Sequence, residues 1–114
     1  MLLIKDKITN DELKPLSQKM YNHLVKAVVD LEQEIMVIDA PLHSDEEELL
    51  LEEGSSQDNL WGINIYPDEV GSERWIEFDS LINIRPAAGN RSRYVENPKL
   101  RERIIKIVKK LVQV

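Results

Sequence analysis

A segment in the second half of the sequence carries acidic, amide and guanidinium side chains at alternating positions. It reads WIEFDSLINIRPAAGNRSR and spans residues 75–93. Side chains of a β-strand alternate between two faces, so a strand here places four such residues on one face together with Trp75: Glu77, Asp79, Asn83 and Arg85. Exposed strand faces usually carry interchangeable solvating residues. This assortment therefore makes the segment the best candidate for a functional site.

The end of this segment concentrates groups that bind anions. A glycine is followed there by Asn90, Arg91, Ser92 and Arg93, with Arg85 a few residues upstream. Guanidiniums match phosphate and carboxylate oxygens as planar forks, and turn amides can form concave sets of N–H donors. The loop predicts a site for an anionic small molecule. The alternative is that the arginines pair with acidic residues of the same chain, while the asparagine and serine only shape the turn.

Glu77 and Asp79 are the first candidates for catalysis. They are two residues apart on one predicted strand, so their side chains point the same way, about 7 Å apart at the backbone. Such a pair could share acid–base work or hold a divalent cation, with Asn64 and Asn83 as further oxygen ligands. The alternative is a solvated strand face in which Asp79 bonds to the backbone.

His43 is the third catalytic candidate, because it lies just before a predicted helix with acidic residues close behind it. Together with Asp45 it could act as a general base or bind a transition metal. Helix capping is the simpler explanation for Asp45. We therefore expect no metal site. If an ion were bound, the candidate ligands would be Glu77, Asp79, His43 and Asp45.

The two tryptophans are predicted to differ in their surroundings. Trp61 falls on the apolar side of its strand and is expected in the core. Trp75 falls with the polar residues, where it could form the floor of a ligand pocket or anchor a subunit contact. The alternative is that it packs under the C-terminal helix.

Length and composition indicate one small globular domain, residues 1–114. The chain has 42% hydrophobic and 32% charged residues and no cysteine, which excludes disulfides and thiolate metal sites. No apolar run approaches the roughly 20 residues that span a bilayer, and the first residues do not read as a secretion signal. We expect a cytoplasmic protein without membrane association. No P-loop, dinucleotide fingerprint or Ser-His-Asp order is present, so no cofactor is expected.

The net charge of −6 is divided sharply along the chain. Residues 27–73 contain no lysine or arginine and carry fourteen of the 21 acids, whereas residues 74–114 are basic. Opposite charges of this kind could join copies of the chain into a homo-oligomer, or could pair within one chain. A pI of about 4.9 makes nucleic acid an unlikely partner.

The pattern of apolar residues, caps and turns predicts an α+β fold. Strands are expected near residues 2–4, 24–29, 34–38, 60–66 and 74–85, and helices after the T-x-x-E box at Thr9, after the S-x-x-E box at Ser44 and after Asn97-Pro98. The chain order is then β-α-β-β-α-β-β-α. We expect a mostly antiparallel sheet of four to five strands with the helices packed on one face.

The apolar positions also predict how the last two strands pair. If the apolar residues of both strands share a face, paired residue numbers in an antiparallel hairpin add up to an odd value. A suitable register places Asn64 beside Glu77 and Gly62 beside Asp79. Tyr66 then joins these residues on the polar face.

Four segments together, HSDEEELLLEEGS, QDNLWGINIYPD, WIEFDSLINIRP and GNRSR, resemble a family of short bacterial and archaeal proteins that has no assigned function. The resemblance extends from the first strand to the last helix. It implies one complete domain and brings no catalytic residues with it.

Three functions are compatible with these patterns. The first is a small binding or assembly module that recognises an anionic ligand through the loop at residues 85–93. The second is a phosphodiesterase or ribonuclease-like enzyme that uses Glu77 or Asp79 with Arg85, Arg91 and Arg93. The third is a homo-oligomer held together by opposite charges. The sequence leaves open whether the protein is an enzyme.

Overall fold

The computed structural model describes residues 1–114 and contains three α-helices and seven short strands. The strands are β1 (Leu2–Ile4), β2 (Ile8–Thr9), β3 (Val25–Asp30), β4 (Ile35–Ile38), β5 (Leu60–Ile65), β6 (Ile76–Glu77) and β7 (Val112–Gln113). The helices are α1 (Asn10–Ser17), α2 (His43–Glu52) and α3 (Pro98–Leu111). Short 3₁₀ helices span Gln57–Asn59, Pro67–Glu69, Leu81–Asn83 and Pro86–Ala88.

A five-stranded antiparallel sheet forms the centre of the fold. Its strand order is β1-β4-β3-β5-β6, and β2 and β7 form a separate two-stranded parallel sheet. The predicted α+β class and the mostly antiparallel sheet are confirmed. The β3–β4 hairpin and the β3–β5 pairing join the central strands, with Val28 between Val37 and Gly62. Strands β2 and β7 are only two residues long and too short to show an alternation of apolar and polar residues. The predicted chain order therefore omitted them.

Helices cover both faces of this sheet, which corrects the expectation that they lie on one face. One core cluster joins alternate residues of β3 to α1 and α3, for example Val29 to Leu13 and Ile104. A smaller cluster on the opposite face joins Val28 to Leu50 of α2. The central strands are apolar on both sides, and such strands need cover on both faces.

The helix starts confirm two of the three predicted caps. Thr9 and Glu12 form a reciprocal capping box, and the Asn97 side chain accepts a hydrogen bond from the amide of Lys99. Helix α2 begins one residue earlier than Ser44, after Leu42, without a side-chain cap. The predicted S-x-x-E capping box at Ser44 is therefore wrong. The first residue of the helix is His43.

The predicted long strand at residues 74–85 is the main error in the element assignment. Only β6 (Ile76–Glu77) pairs with β5, and the chain then turns into a 3₁₀ helix at Leu81–Asn83 that Ser80 caps. The predicted register of Asn64 opposite Glu77 is correct. Gly62 does not lie opposite Asp79, since Asn83 and Ser80 occupy that position.

The acidic helix α2 and the basic helix α3 lie on opposite faces of the sheet. They therefore do not neutralise each other within the chain. The basic helix makes one ion pair with the β3–β4 turn, from Lys110 Nζ to Glu34 Oε1 at 2.9 Å. Assembly of copies through these helices stays a prediction. No helix is long and apolar enough to cross a membrane.

Candidate functional site

Several of the predicted site residues come together in one cleft beside β5 and β6. This polar cleft has a volume of about 370 Å³. Its chemically active side chains are Lys26, His43, Asn64, Tyr66, Glu77, Asp79 and Arg93. Strand β5 supplies Asn64, the edge strand and the residues after it supply the two acids, and the first residue of α2 supplies the histidine.

Asn64 organises the acidic side of the polar cleft. Its Nδ2 donates to Glu77 Oε1 at 2.8 Å and to the carbonyl of Asp79 at 3.2 Å. Both partners are acceptors, so the amide orientation is fixed and Oδ1 faces the other way. Asn64 is buried, and its Oδ1 has no hydrogen-bond donor. Asn64 is thus an enclosed residue that holds Glu77 and the backbone of Asp79 in place.

Tyr66 and Glu77 form a second fixed pair. The Tyr66 hydroxyl donates to Glu77 Oε1 at 3.1 Å, which is the same oxygen that accepts from Asn64. Burial and the neighbouring carboxylate of Glu77 raise the pKa of Tyr66 to about 12. Tyr66 is therefore a protonated donor at neutral pH and holds the Glu77 carboxylate in place.

Arg93 enters the site because the chain returns to the sheet edge. An isolated β-bridge between Asp79 and Tyr94 brings residue 93 beside the end of β6. Arg93 Nε donates to Asp79 Oδ1 at 2.6 Å, and Nη2 lies 3.4 Å from Oδ2. The Arg93 side chain remains 53% exposed. The ion pair orients the guanidinium while leaving part of it accessible to a ligand.

His43 completes the polar cleft from the helix side. Its Nε2 lies 2.8 Å from the carbonyl oxygen of Ile63, and a carbonyl only accepts, so Nε2 carries the proton. Burial lowers the pKa of His43 below its ordinary value of 6.5. The ring is therefore neutral at neutral pH, and Nδ1 is the nitrogen that can accept a proton.

A larger cleft continues from this site along the edge of the sheet. The edge cleft has a volume of about 910 Å³ and shares Tyr66, Glu77, Asp79 and Arg93 with the polar cleft. The shared residues are therefore accessible from two sides. Together the two clefts have the size of a small-molecule site.

The amides of the arginine loop form the predicted anion-binding turn, but the chain fills it with its own carboxylate. Glu96 Oε2 accepts from the amides of Arg91 at 3.0 Å and Ser92 at 2.9 Å, and from Ser92 Oγ at 2.7 Å. The Ser92 hydrogen bond is the main reason that the pKa of Glu96 lies below its usual value. The Arg91 side chain is exposed and lies outside both clefts.

Two other predicted ligand residues hold the backbone together. The Arg85 guanidinium donates to the carbonyls of Ile82, Gln57 and Leu60, and it stacks over the Trp61 ring at 4.5 Å. Asn90 is buried, and its Nδ2 donates to three carbonyls: those of Asn83, Ser92 and Tyr94. The structure thus gives both residues a role in folding the loop.

The family model described as "Protein of unknown function (DUF5674)" matches residues 2–111. The chain belongs to this family. No curated protein and no solved structure matches it. The resemblance noted in the sequence is confirmed. Membership of the DUF5674 family brings no assigned function with it.

Trp75 of this DUF5674 chain lies in the core, which corrects its predicted position on the polar face. It is 6% exposed and packs in the same cluster as α3. Its Nε1 donates to Asn10 Oδ1 at 3.1 Å, and Asn10 Nδ2 donates to the carbonyl of Pro67 at 3.0 Å. The predicted alternation fails because residue 75 precedes the two-residue strand β6.

The candidate metal ligands of the DUF5674 chain do not surround a common point. No group of three or more histidine and acidic side chains is placed to hold an ion. Asp45 lines a different cavity, beside Met1 and Asp39. His43, Glu77 and Asp79 share the polar cleft, where each is hydrogen-bonded to another group of the chain.

Lys26 is the site residue that the sequence analysis missed. It lies directly opposite Asn64 in the β3–β5 pairing and lines the polar cleft. A signal was present, because Lys26 is the only basic residue in the otherwise apolar stretch LVKAVV. A lysine in a central strand of a small sheet faces either solvent or a cleft.

Proposed function

We propose that this protein binds a small anionic molecule in the polar and edge clefts, with Arg93 and Lys26 as its cationic contacts. The position of Arg93 carries the proposal. Of the arginines in the segment 85–93, it alone lines the clefts. Asp79 engages Nε and Nη2, which leaves Nη1 available for a phosphate or carboxylate oxygen.

The other polar groups of the polar cleft restrict how the anion is recognised. Asn64 is buried and its Oδ1 is enclosed, so Asn64 holds Glu77 in place and does not contact a ligand. The ligand is therefore recognised through its anionic group. The acidic pI of about 4.9 favours a small molecule over a nucleic acid.

Replacing Arg93 with alanine should weaken anion binding at least about tenfold, because a charge-assisted hydrogen bond contributes roughly 1.5–3 kcal/mol. Calorimetric titration with phosphate, sugar phosphates, mononucleotides and hydroxy acids measures this. Arg91→Ala is the matched control, since it removes the same charge from the same loop outside the clefts. Equal losses in both variants, or no binding of any of these anions to the unmodified chain, would refute the proposal.

A second candidate function is cleavage of a small phosphodiester, and one observation favours it. His43 and Glu77 lie in the same cleft as Arg93, which combines two acid–base groups with a cation that can hold a phosphate. Glu77 or His43 Nδ1 would take the proton from the attacking hydroxyl. Arg85 and Arg91, which were also predicted to bind the phosphate, lie outside the polar cleft.

Cleavage would be detected by chromatography after incubation with dinucleotides and 2′,3′-cyclic nucleotides. Glu77→Gln should then lower the rate by at least about a hundredfold, the usual contribution of a general base. Glu48→Gln, an exposed change on α2, should leave it unchanged. Cleavage that survives both Glu77→Gln and His43→Gln would exclude this function.

A further inference from the structure

The site continues into a third cleft whose walls are largely apolar. This apolar cleft has a volume of about 580 Å³. It is lined by Trp75, Ile76, Phe78, Ile105, Val112 and Val114, among others. Ile76, Phe78 and Glu73 also line the edge cleft. One continuous surface therefore leads from the Arg93 guanidinium to the apolar walls beside α3.

Alternation along the edge strand explains how charged and apolar surfaces come to adjoin. Glu77 and Asp79 point to the face that carries His43, whereas Ile76 and Phe78 point to the face covered by α3. Because β6 is an edge strand, the edge cleft reaches around it from one face to the other. A single ligand could thus contact both sides of the strand.

The aromatic and aliphatic groups on this path are only partly covered by the chain itself. Phe78 is half-buried and meets the ring of Tyr94 edge to face, at 6.3 Å between centroids. Tyr94 is 49% exposed, and Val114 at the far end is 86% exposed. An apolar surface next to a charged site is typical of a binding groove.

We infer that the anionic ligand is amphipathic, with its charged group at Arg93 and an alkyl or aryl group extending over Phe78 into the apolar cleft. This inference rests on the proposed function. It adds the class of ligand: a free carboxylate or phosphate monoester that carries a hydrocarbon group. The position of the charged group is set by Arg93, which Asp79 orients. The volume of the apolar cleft limits the hydrocarbon group to the size of a small-molecule substituent.

The test is a calorimetric titration of the full chain with inorganic phosphate and with alkyl phosphates of increasing chain length. Affinity should rise about threefold to fourfold for each methylene that becomes buried and should level off once the apolar cleft is filled. Phe78→Ala should remove most of this dependence on chain length, whereas Arg91→Ala, outside the clefts, should leave both the dependence and phosphate binding unchanged. Val114→Asp, a change at an exposed position, provides the same measurement if the Phe78 variant does not fold.

The outcomes separate this inference from the proposed function. Phosphate binding that depends on Arg93 but is unaffected by chain length would overturn the amphipathic ligand and leave the proposed function standing. No binding of any anion would overturn both. Sedimentation with anionic lipid vesicles distinguishes a free amphiphile from a membrane surface, and binding to vesicles without binding of monomeric alkyl phosphates would overturn the inference.

Discussion

Replacing Asn83 with alanine is expected to lower the free energy of unfolding by about 3–5 kcal/mol. Asn83 is fully buried, and its Oδ1 accepts from the Gly62 amide at 2.8 Å. Its Nδ2 donates to the carbonyls of Gly62 and Arg93, both at 3.0 Å. Alanine would leave both backbone groups of Gly62 without these partners, and each unsatisfied buried group costs about 1–3 kcal/mol.

The size of this effect follows from the position of Asn83 in the sheet. Strand β5 is paired with β3 along its whole length, whereas β6 pairs with only two of its residues. Beyond β6, the Asn83 side-chain amide bonds to the N–H and C=O of Gly62 as a neighbouring strand would. It thereby closes an edge that would otherwise expose backbone groups inside the fold.

Urea unfolding followed by circular dichroism measures the change. Asn22→Ala is a suitable control, because Asn22 is exposed and this change should alter stability by less than about 0.5 kcal/mol. Asn83 also holds the carbonyl of Arg93, so the variant should bind anions more weakly as well. A stability loss below about 1 kcal/mol would mean that the amide does not complete the sheet.

Local signals were sufficient to predict most of the fold. The β-branched runs at Val25–Asp30 and Ile35–Ile38 gave the central hairpin, and the caps at Thr9 and Asn97 gave two helix starts. The alternation of apolar residues along the two strands correctly predicted that Asn64 lies opposite Glu77. Each of these features depends on residues close in sequence or on a simple alternation.

The segment after β6 could not be predicted in this way. Ile82 and Ile84 continue the alternation of a strand, yet the chain forms a 3₁₀ helix there. The cause is non-local, because the Asn83 side chain pairs with Gly62 and a Cβ at residue 62 would lie 2.6 Å from Ser80 Cβ. Hydrogen bonds between a side chain and a distant backbone group cannot be predicted from the spacing of hydrophobic residues.

The site was only partly predictable for the same reason. Glu77, Asp79 and Arg93 were identified from their spacing, and the structure places them in shared clefts. Whether an arginine lines a cleft or bonds to backbone carbonyls depends on tertiary contacts, which is why Arg85 could not be distinguished from Arg93. The amides of Arg91 and Ser92 donate to Glu96 only in the folded turn, so these hydrogen bonds could not be predicted from the sequence either.

Replacing Glu46 with glutamine is expected to stabilise the protein by about 3–4 kcal/mol at pH 7. Glu46 is fully buried in α2; its Oε2 accepts from the Ala40 amide at 3.2 Å, and its Oε1 has no partner. Burial raises the pKa of Glu46 to about 10 from an ordinary value of 4.5. Glutamine has the shape of the protonated acid and needs no proton to be buried.

The pH dependence distinguishes this cause from a simple packing effect. Above pH 4.5 the unfolded chain releases the proton that the folded chain keeps, so the Glu46 contribution to stability is fully present below that pH. It is lost as pH rises toward about 10, by about 1.4 kcal/mol per unit. The difference between Glu46→Gln and the unmodified chain should therefore be near zero at pH 4 and should grow with pH.

Urea unfolding at pH 5, 7 and 9 provides the measurement, with Glu48→Gln on the exposed side of the same helix as control. The control makes the same chemical substitution at an exposed position of α2, so it shows how much of the effect comes from replacing glutamate with glutamine alone. Should the Glu46→Gln difference stay constant across this range, Glu46 is not buried in its protonated form. A difference that grows with pH would show that folding takes up a proton in the helix turn that follows His43.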